Sequence, residues 1–112
     1  MAVLALVDDL FFRSKLQAAA EPLGVTLRCV AEADASTLAG EWSLIIVDLN
    51  LNRADPLDAI QRMRQARPST PIVAYFSHVQ VELQQRAQAA GCSVVLPRSA
   101  FVQRLPQLLA QG

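Results

Sequence analysis

Four apolar runs in this chain each end in a polar group, and the stretches between them carry apolar residues at helical spacing. Ala2 to Val7 runs into Asp8-Asp9, Leu44 to Val47 into Asp48, Ile72 to Phe76 into Ser77, and Val94 to Leu96 into Pro97-Arg98. Short apolar runs alternating with helical patterns are the signature of a parallel sheet with helices on both faces. If the runs are strands of one such sheet, their terminal groups emerge together at its carboxyl edge, where open α/β sheets place ligand sites. Three carboxylates, a hydroxyl and a guanidinium then converge.

The intervening segments support this reading. Leu10, Phe11 or Phe12, Leu16, Ala19, Ala20 and Leu23 recur at helical spacing until Pro22 and Gly24 stop the helix. Val25 to Val30 is a second strand whose Thr26 and Arg28 indicate a wetter face or an edge. A weaker helical stretch runs from about Asp34, a suitable N-cap, to Gly40. Leu44 to Val47 has no polar alternation and reads as a central strand buried on both faces. Asp55-Pro56 opens a helix that packs Leu57, Ile60, Met63 and the Arg64 stem inward before Pro68. Val79, Leu83, Ala87 and Ala90 form the next stripe, ended by Gly91. Phe101, Leu105, Leu108 and Leu109 mark a last helix, in which Pro106 is tolerable only near the first turn. The expected class is α/β, five β-α units in one domain over residues 1–112, with no output domain.

With 53% hydrophobic residues, the 112-residue chain can bury a real core. Ten basic and ten acidic residues give a formal charge of zero, and no basic patch points to nucleic acid or an anionic membrane. Cys29, Cys92 and the one histidine have no zinc spacing, so the cysteines read as small buried hydrophobes. No apolar run approaches a membrane span, and the apolar start lacks the form of a signal peptide. A cytoplasmic protein is expected.

The residues at the ends of the runs resemble the receiver domain of two-component response regulators over essentially the whole chain. Asp8-Asp9 is similar to that family's metal-binding pair and Asp48 to its phosphoryl acceptor. The stretch from Asp48 to Pro56 follows the family's D-x-x-[ML]-P-x-x-D-G pattern, with Asn52 and Pro56 in place of Pro and Gly. Ser77 takes the place of the switch Thr or Ser, and Ala90-Gly91 has the family's spacing to the fifth-strand Lys, where Arg98 stands. The resemblance implies a CheY-like (flavodoxin-like), doubly wound sheet of strand order 2-1-3-4-5. It also implies Mg²⁺ or Mn²⁺ on Asp8, Asp9, Asp48 and the Asn50 carbonyl, with Ser77 and Arg98 orienting the phosphoryl oxygens. A histidine kinase or phosphotransfer protein is then the donor, a downstream protein the receiver of the signal, and self-association through the last helices a form of readout.

The chemistry has its own logic. A carboxylate accepts a phosphoryl group only if the charge on the transferring oxygens is neutralised and the geometry is in line. Mg²⁺ takes oxygen ligands, keeps several waters and needs few protein groups. Three clustered carboxylates without a cation repel and raise one another's pKa. Plainer roles compete: Asp8 and Asp9 as acids at a helix N-terminus, Ser77 as a turn residue, and Arg98 as a surface residue covering Phe101.

Several positions depart from the family. Arg98 brings a planar fork in place of an ammonium, and Ser99 stands where receivers carry the proline of a cis peptide. His78 replaces a small residue, and either obstructs donors, bonds the phosphoryl group or a water, or is an exposed loop histidine. Val95 replaces the usual aromatic switch residue. Two readings follow: a non-enzymatic phosphoacceptor switch on Asp48, or a pseudo-receiver acting as a constitutive interaction module. A flavin protein or small enzyme on the same fold is disfavoured, because Asp8-Asp9-Leu10-Phe11-Phe12 lacks a phosphate-cradling loop. The helix after Ser77, with Val81, Gln84 and Gln85, and Arg104 on the last helix, mark the expected interaction face.

Overall fold

Five parallel strands form one sheet in the order β2-β1-β3-β4-β5. The computed structural model describes residues 2–52, 54–77 and 80–111, with the side chain of residue 111 excepted. In chain order the elements are β1 (Ala2–Leu6), α1 (Leu10–Ala20), β2 (Thr26–Val30), α2 (Ala35–Leu38) and β3 (Leu44–Asp48). They continue with α3 (Pro56–Ala66), β4 (Ile72–Phe76), α4 (Val81–Ala90), β5 (Val94–Pro97) and α5 (Arg98–Gln111). Strand β1 starts the sheet at its middle, and the order reverses between β1 and β3, which opens a crevice at the carboxyl edge.

Alternation along the strands divides the core into two layers. Leu4, Leu6, Ile45, Val47, Ile72 and Ala74 face Ile60 and Met63 of α3 and Ala87 of α4. Val3, Ala5, Ile46, Val73 and Tyr75 face Phe12 and Leu16 of α1 and Phe101, Leu105 and Leu109 of α5. Both β3 and β4 are buried throughout, as their unbroken apolar runs require. Strand β2 is an edge, with Thr26 and Arg28 exposed.

Several boundaries differ from the sequence reading. Helix α1 ends at Ala20 and continues as a 3-10 turn over Glu21–Leu23, closed by Gly24 at φ 68°. That change of pitch leaves Leu23 exposed, and Leu10 and Phe11 are 72% and 90% exposed, so the inward stripe starts at Phe12. The α2 helix is a single turn. Helix α4 begins at Val81, and Val79 of the expected stripe lies outside the described residues. Pro106 sits well inside α5, contrary to expectation, because β5 passes into the helix with no loop. Its ring is exposed, and the deficit falls on the carbonyl of the preceding turn. Cys29 and Cys92 are half-buried free thiols, not fully buried ones.

The amino edge is fastened by Arg64. Its Nε and Nη2 donate to the Gly91 carbonyl at 3.0 and 2.8 Å, and Nη1 donates to the carbonyls of Arg67, Pro68 and Thr70. Gly91 has φ 127°, and a Cβ there would lie 2.9 Å from the Arg64 Cγ, so the turn and the arginine fit only each other. Arg67 adds a bond from Nη1 to the Gly40 carbonyl at 2.7 Å. Arg64→Ala is expected to cost about 2–4 kcal/mol in urea unfolding, because several part-buried carbonyls lose their donor together. Arg86→Ala, which removes only the exposed pair with Glu82, should change stability by less than about 1 kcal/mol.

Candidate functional site

The ends of β1, β3 and β4 and the start of α5 bring the expected residues to one edge. Asp48 is the last residue of β3 and only 8% exposed. Its Oδ1 accepts from the Asn50 backbone N–H at 2.8 Å, and its own carbonyl accepts from Leu51 at 3.2 Å, which folds the following loop over the strand end. Two further bonds join separate loops here. The Asn52 N–H donates to Asp8 Oδ2 at 3.1 Å, and the Ser77 N–H donates to Asn50 Oδ1 at 2.6 Å.

The electrostatics are those of a carboxylate short of counter-charge. Burial pushes the Asp48 pKa up, and the nearby Asp8 and Asp9 push it further. The Asn50 N–H and the Arg98 guanidinium work in the opposite direction without cancelling the shift. Oxygen donors in such surroundings fit a hard divalent cation, which would offset the repulsion.

Asp9 is the N-cap of α1. Its Oδ1 accepts from the N–H groups of Phe11 and Phe12 at 2.9 and 3.3 Å and caps α1. Among the described residues no three His, Cys, Asp or Glu side chains are grouped closely enough to hold a metal ion. Asp8 and Asp9 both lie near enough to act on the Asp48 charge, while Asp9 Oδ1 caps α1 and Asp8 Oδ2 accepts from the loop after β3. Arg98 opens α5 and is half-buried, and its guanidinium carbon lies 4.3 Å from the centroid of Phe12, over the ring. Ser77 is exposed, tied by its backbone to Asn50. His78 lies outside the described residues.

Beneath Asp48 lies a group the sequence reading passed over. Tyr75 is its register partner on β4, and its ring stacks on Phe101 and leans on Phe12. The available signal was that an otherwise hydrocarbon strand, Ile-Val-Ala-Tyr-Phe, carries a phenol two residues before Ser77.

Sequence comparison finds no matching family model and no matching curated protein. Structural comparison finds many similar chains. One is a response regulator from Burkholderia pseudomallei with a phosphorylated aspartic acid and a calcium ion. It has a TM-score of 0.81 and 21% identity over 96% of this chain, which spans 65% of that one. The chain has the receiver fold. A CheY-like receiver domain from Methanospirillum hungatei has a TM-score of 0.79 at 14% identity, covering 99% of this chain and 98% of its own. An orphan response regulator of H. pylori has a TM-score of 0.77 at 14% identity, covering 97% and 96%. At the level of fold, the receiver expectation and the strand order 2-1-3-4-5 are borne out.

A raised pKa for Asp48 means that the folded domain holds this proton more tightly than the unfolded chain does. Its penalty is absent below the unfolded value of 3.8 and grows as pH rises through the folded-state value. With chelator present, Asp48→Asn should therefore melt higher than the parent at pH 7, and the gain should shrink as pH falls toward 4. Thermal melts across that range check it.

Proposed function

We propose that the protein is a receiver-type signalling module in which Asp48 accepts a phosphoryl group and the modified state is read by a protein partner. The observation that carries this reading is a buried, charge-stressed carboxylate at the crevice of a receiver fold, with Asp8, Asn50, Ser77 and Arg98 around it. A phosphorylated aspartate and a calcium ion in the B. pseudomallei regulator support the same assignment.

In the proposed reaction a carboxylate oxygen of Asp48 forms a bond to phosphorus as the bond from phosphorus to the donor's leaving group breaks. The donor is a phosphohistidine of a kinase or phosphotransfer protein, or a small acyl phosphate. Asp8, Asp48 and the Asn50 carbonyl would hold Mg²⁺ or Mn²⁺, joined by Asp9 through the oxygen that does not cap α1. Such a cation, when bound, neutralises charge on the transferring oxygens. The Ser77 hydroxyl donates to one phosphoryl oxygen. Arg98, a long fork resting on Phe12, leaves that ring to pair with another.

A pseudo-receiver is the second reading, favoured by the Arg98–Phe12 contact and by the capping role of Asp9. Both readings use a protein partner. The face proposed for it takes Val81, Gln84 and Gln85 of α4 and Arg104 of α5, with Val81 60% exposed. That face is more charged than its glutamines suggest, since Glu82 and Arg86 form an ion pair on it.

Intact mass after incubation with acetyl phosphate and Mg²⁺ should show one added phosphoryl group, lost in Asp48→Asn and kept in Asp58→Asn. Equal modification of both variants, or none of the parent, favours the pseudo-receiver. Mg²⁺ or Mn²⁺ at about 100 times its Kd should stabilise the parent by about 2.7 kcal/mol in thermal melts and Asp8→Ala by much less. Unchanged melting across both cations contradicts the metal assignment.

A further inference from the structure

Asp48 and Tyr75 are partners across the parallel pair β3 and β4, so their side chains leave the sheet on the same face. That face is covered by α1 and α5, and Tyr75 is 1% exposed within it. Its ring is stacked on Phe101 at a centroid distance of 4.7 Å and 18° between planes, and tilted against Phe12 at 4.8 Å. Phe12 in turn carries the Arg98 guanidinium. The phenol is therefore held in place by rings from both helices.

The Tyr75 hydroxyl is fully buried and, among the described residues, meets no acceptor in hydrogen-bonding geometry. Of the charged groups near the phenol, Asp48 acts on it most strongly, ahead of Arg98 and Asp9. A buried hydroxyl without a partner costs stability, and phenylalanine would fill this space without that cost. Asp48 uses Oδ1 for the Asn50 N–H, and a carboxylate has acceptor sites beyond that one.

We infer that Tyr75 is a positioning residue for Asp48, its hydroxyl donating a hydrogen bond to the carboxylate from within the aromatic layer and fixing the orientation in which Asp48 meets a phosphoryl donor. The effect on transfer rests on the reading of Asp48 as acceptor; the hydrogen bond stands without it. Register across β3 and β4 keeps the two side chains side by side on one face of the sheet. Once Asp48 becomes an acyl phosphate, the acceptor loses its carboxylate charge and the bond weakens. Phe12 of α1 and Phe101 of α5 lie against the ring that feels this change.

Tyr75 is the one tyrosine of the chain, and Trp42 the one tryptophan. Trp42 precedes β3, at the opposite edge of the sheet. Near-ultraviolet difference spectra of the full chain therefore isolate the phenol. Asp48→Ala should shift the tyrosine band to the blue relative to the parent, because a phenol donating to a carboxylate absorbs further to the red, whereas Asp58→Ala should leave it in place. Identical tyrosine bands in the parent and Asp48→Ala would overturn the inference. Tyr75→Phe, which keeps the ring, should slow modification of Asp48 by acetyl phosphate about 2–10-fold at saturating donor, with the half-saturating donor concentration unchanged. A parental rate in Tyr75→Phe overturns the positioning role. If the parent accepts no phosphoryl group, the acceptor reading fails by itself, and the tyrosine band still decides the hydrogen bond.

Discussion

Burial of β3 on both faces, carried through to Asp48, is the constraint on which the rest of the carboxyl edge depends. A strand flanked by β1 and β4 and covered by helices on each side can end only where the sheet ends. The first polar side chain after its apolar run is then caught half inside the core. Burial deprives that carboxylate of hydration, and Asp8 and Asp9 add repulsion, while one N–H from Asn50 and the charge of Arg98 offset only part of the cost. A group left in that condition gains from a cation, a proton or a covalent change that removes its charge.

Strain of this kind is tolerable because the opposite edge is firmly held. Arg64, Arg67, Thr70 and Ser43 join turns around the amino ends of the strands through bonds to Gly91, Gly40, Trp42 and Ala2. At the carboxyl edge, ties among the described residues run between loops, from Asn52 to Asp8 and from Ser77 to Asn50. Loops on a rigid scaffold are where binding groups can move at small cost. Two routes lead away from Asp48. One passes through Asn50 to the loop before α4, and the other through Tyr75 to the aromatic rings of α1 and α5.

Much of this was legible in the sequence, for specific reasons. Leu44 to Val47 has no polar alternation, which only a strand covered on both sides allows, and the strand ends then named Asp48, Ser77 and the Asp8-Asp9 pair. What sequence could not resolve were choices between two uses of one residue. Asp at a strand-to-helix junction serves equally as cap or ligand, and Asp9 is a cap through Oδ1. Periodicity allowed Leu10 as well as Phe12 on the inner face, and the pitch of α1 selected Phe12. The Arg98–Phe12 contact joins helices far apart in the chain, so its geometry depends on how α1 and α5 pack, which no local pattern encodes. Tyr75 was hidden for the opposite reason: a tyrosine in an apolar strand reads as core, and only the register with Asp48 gives its hydroxyl a neighbour.

The central claim is that the carboxyl edge assembles around Asp48 when charge is brought to it. A crystal structure of the protein with Mg²⁺ and beryllium fluoride tests it most directly. The account predicts a beryllofluoride group on an Asp48 oxygen, Mg²⁺ ligated by Asp8, Asp48 and the Asn50 carbonyl, and the Ser77 hydroxyl on a fluorine. Arg98 should have left the Phe12 ring for the same group. Crystals grown with both reagents in which Asp48 carries no adduct, Asp8 ligates no cation and Arg98 still covers Phe12 would contradict it.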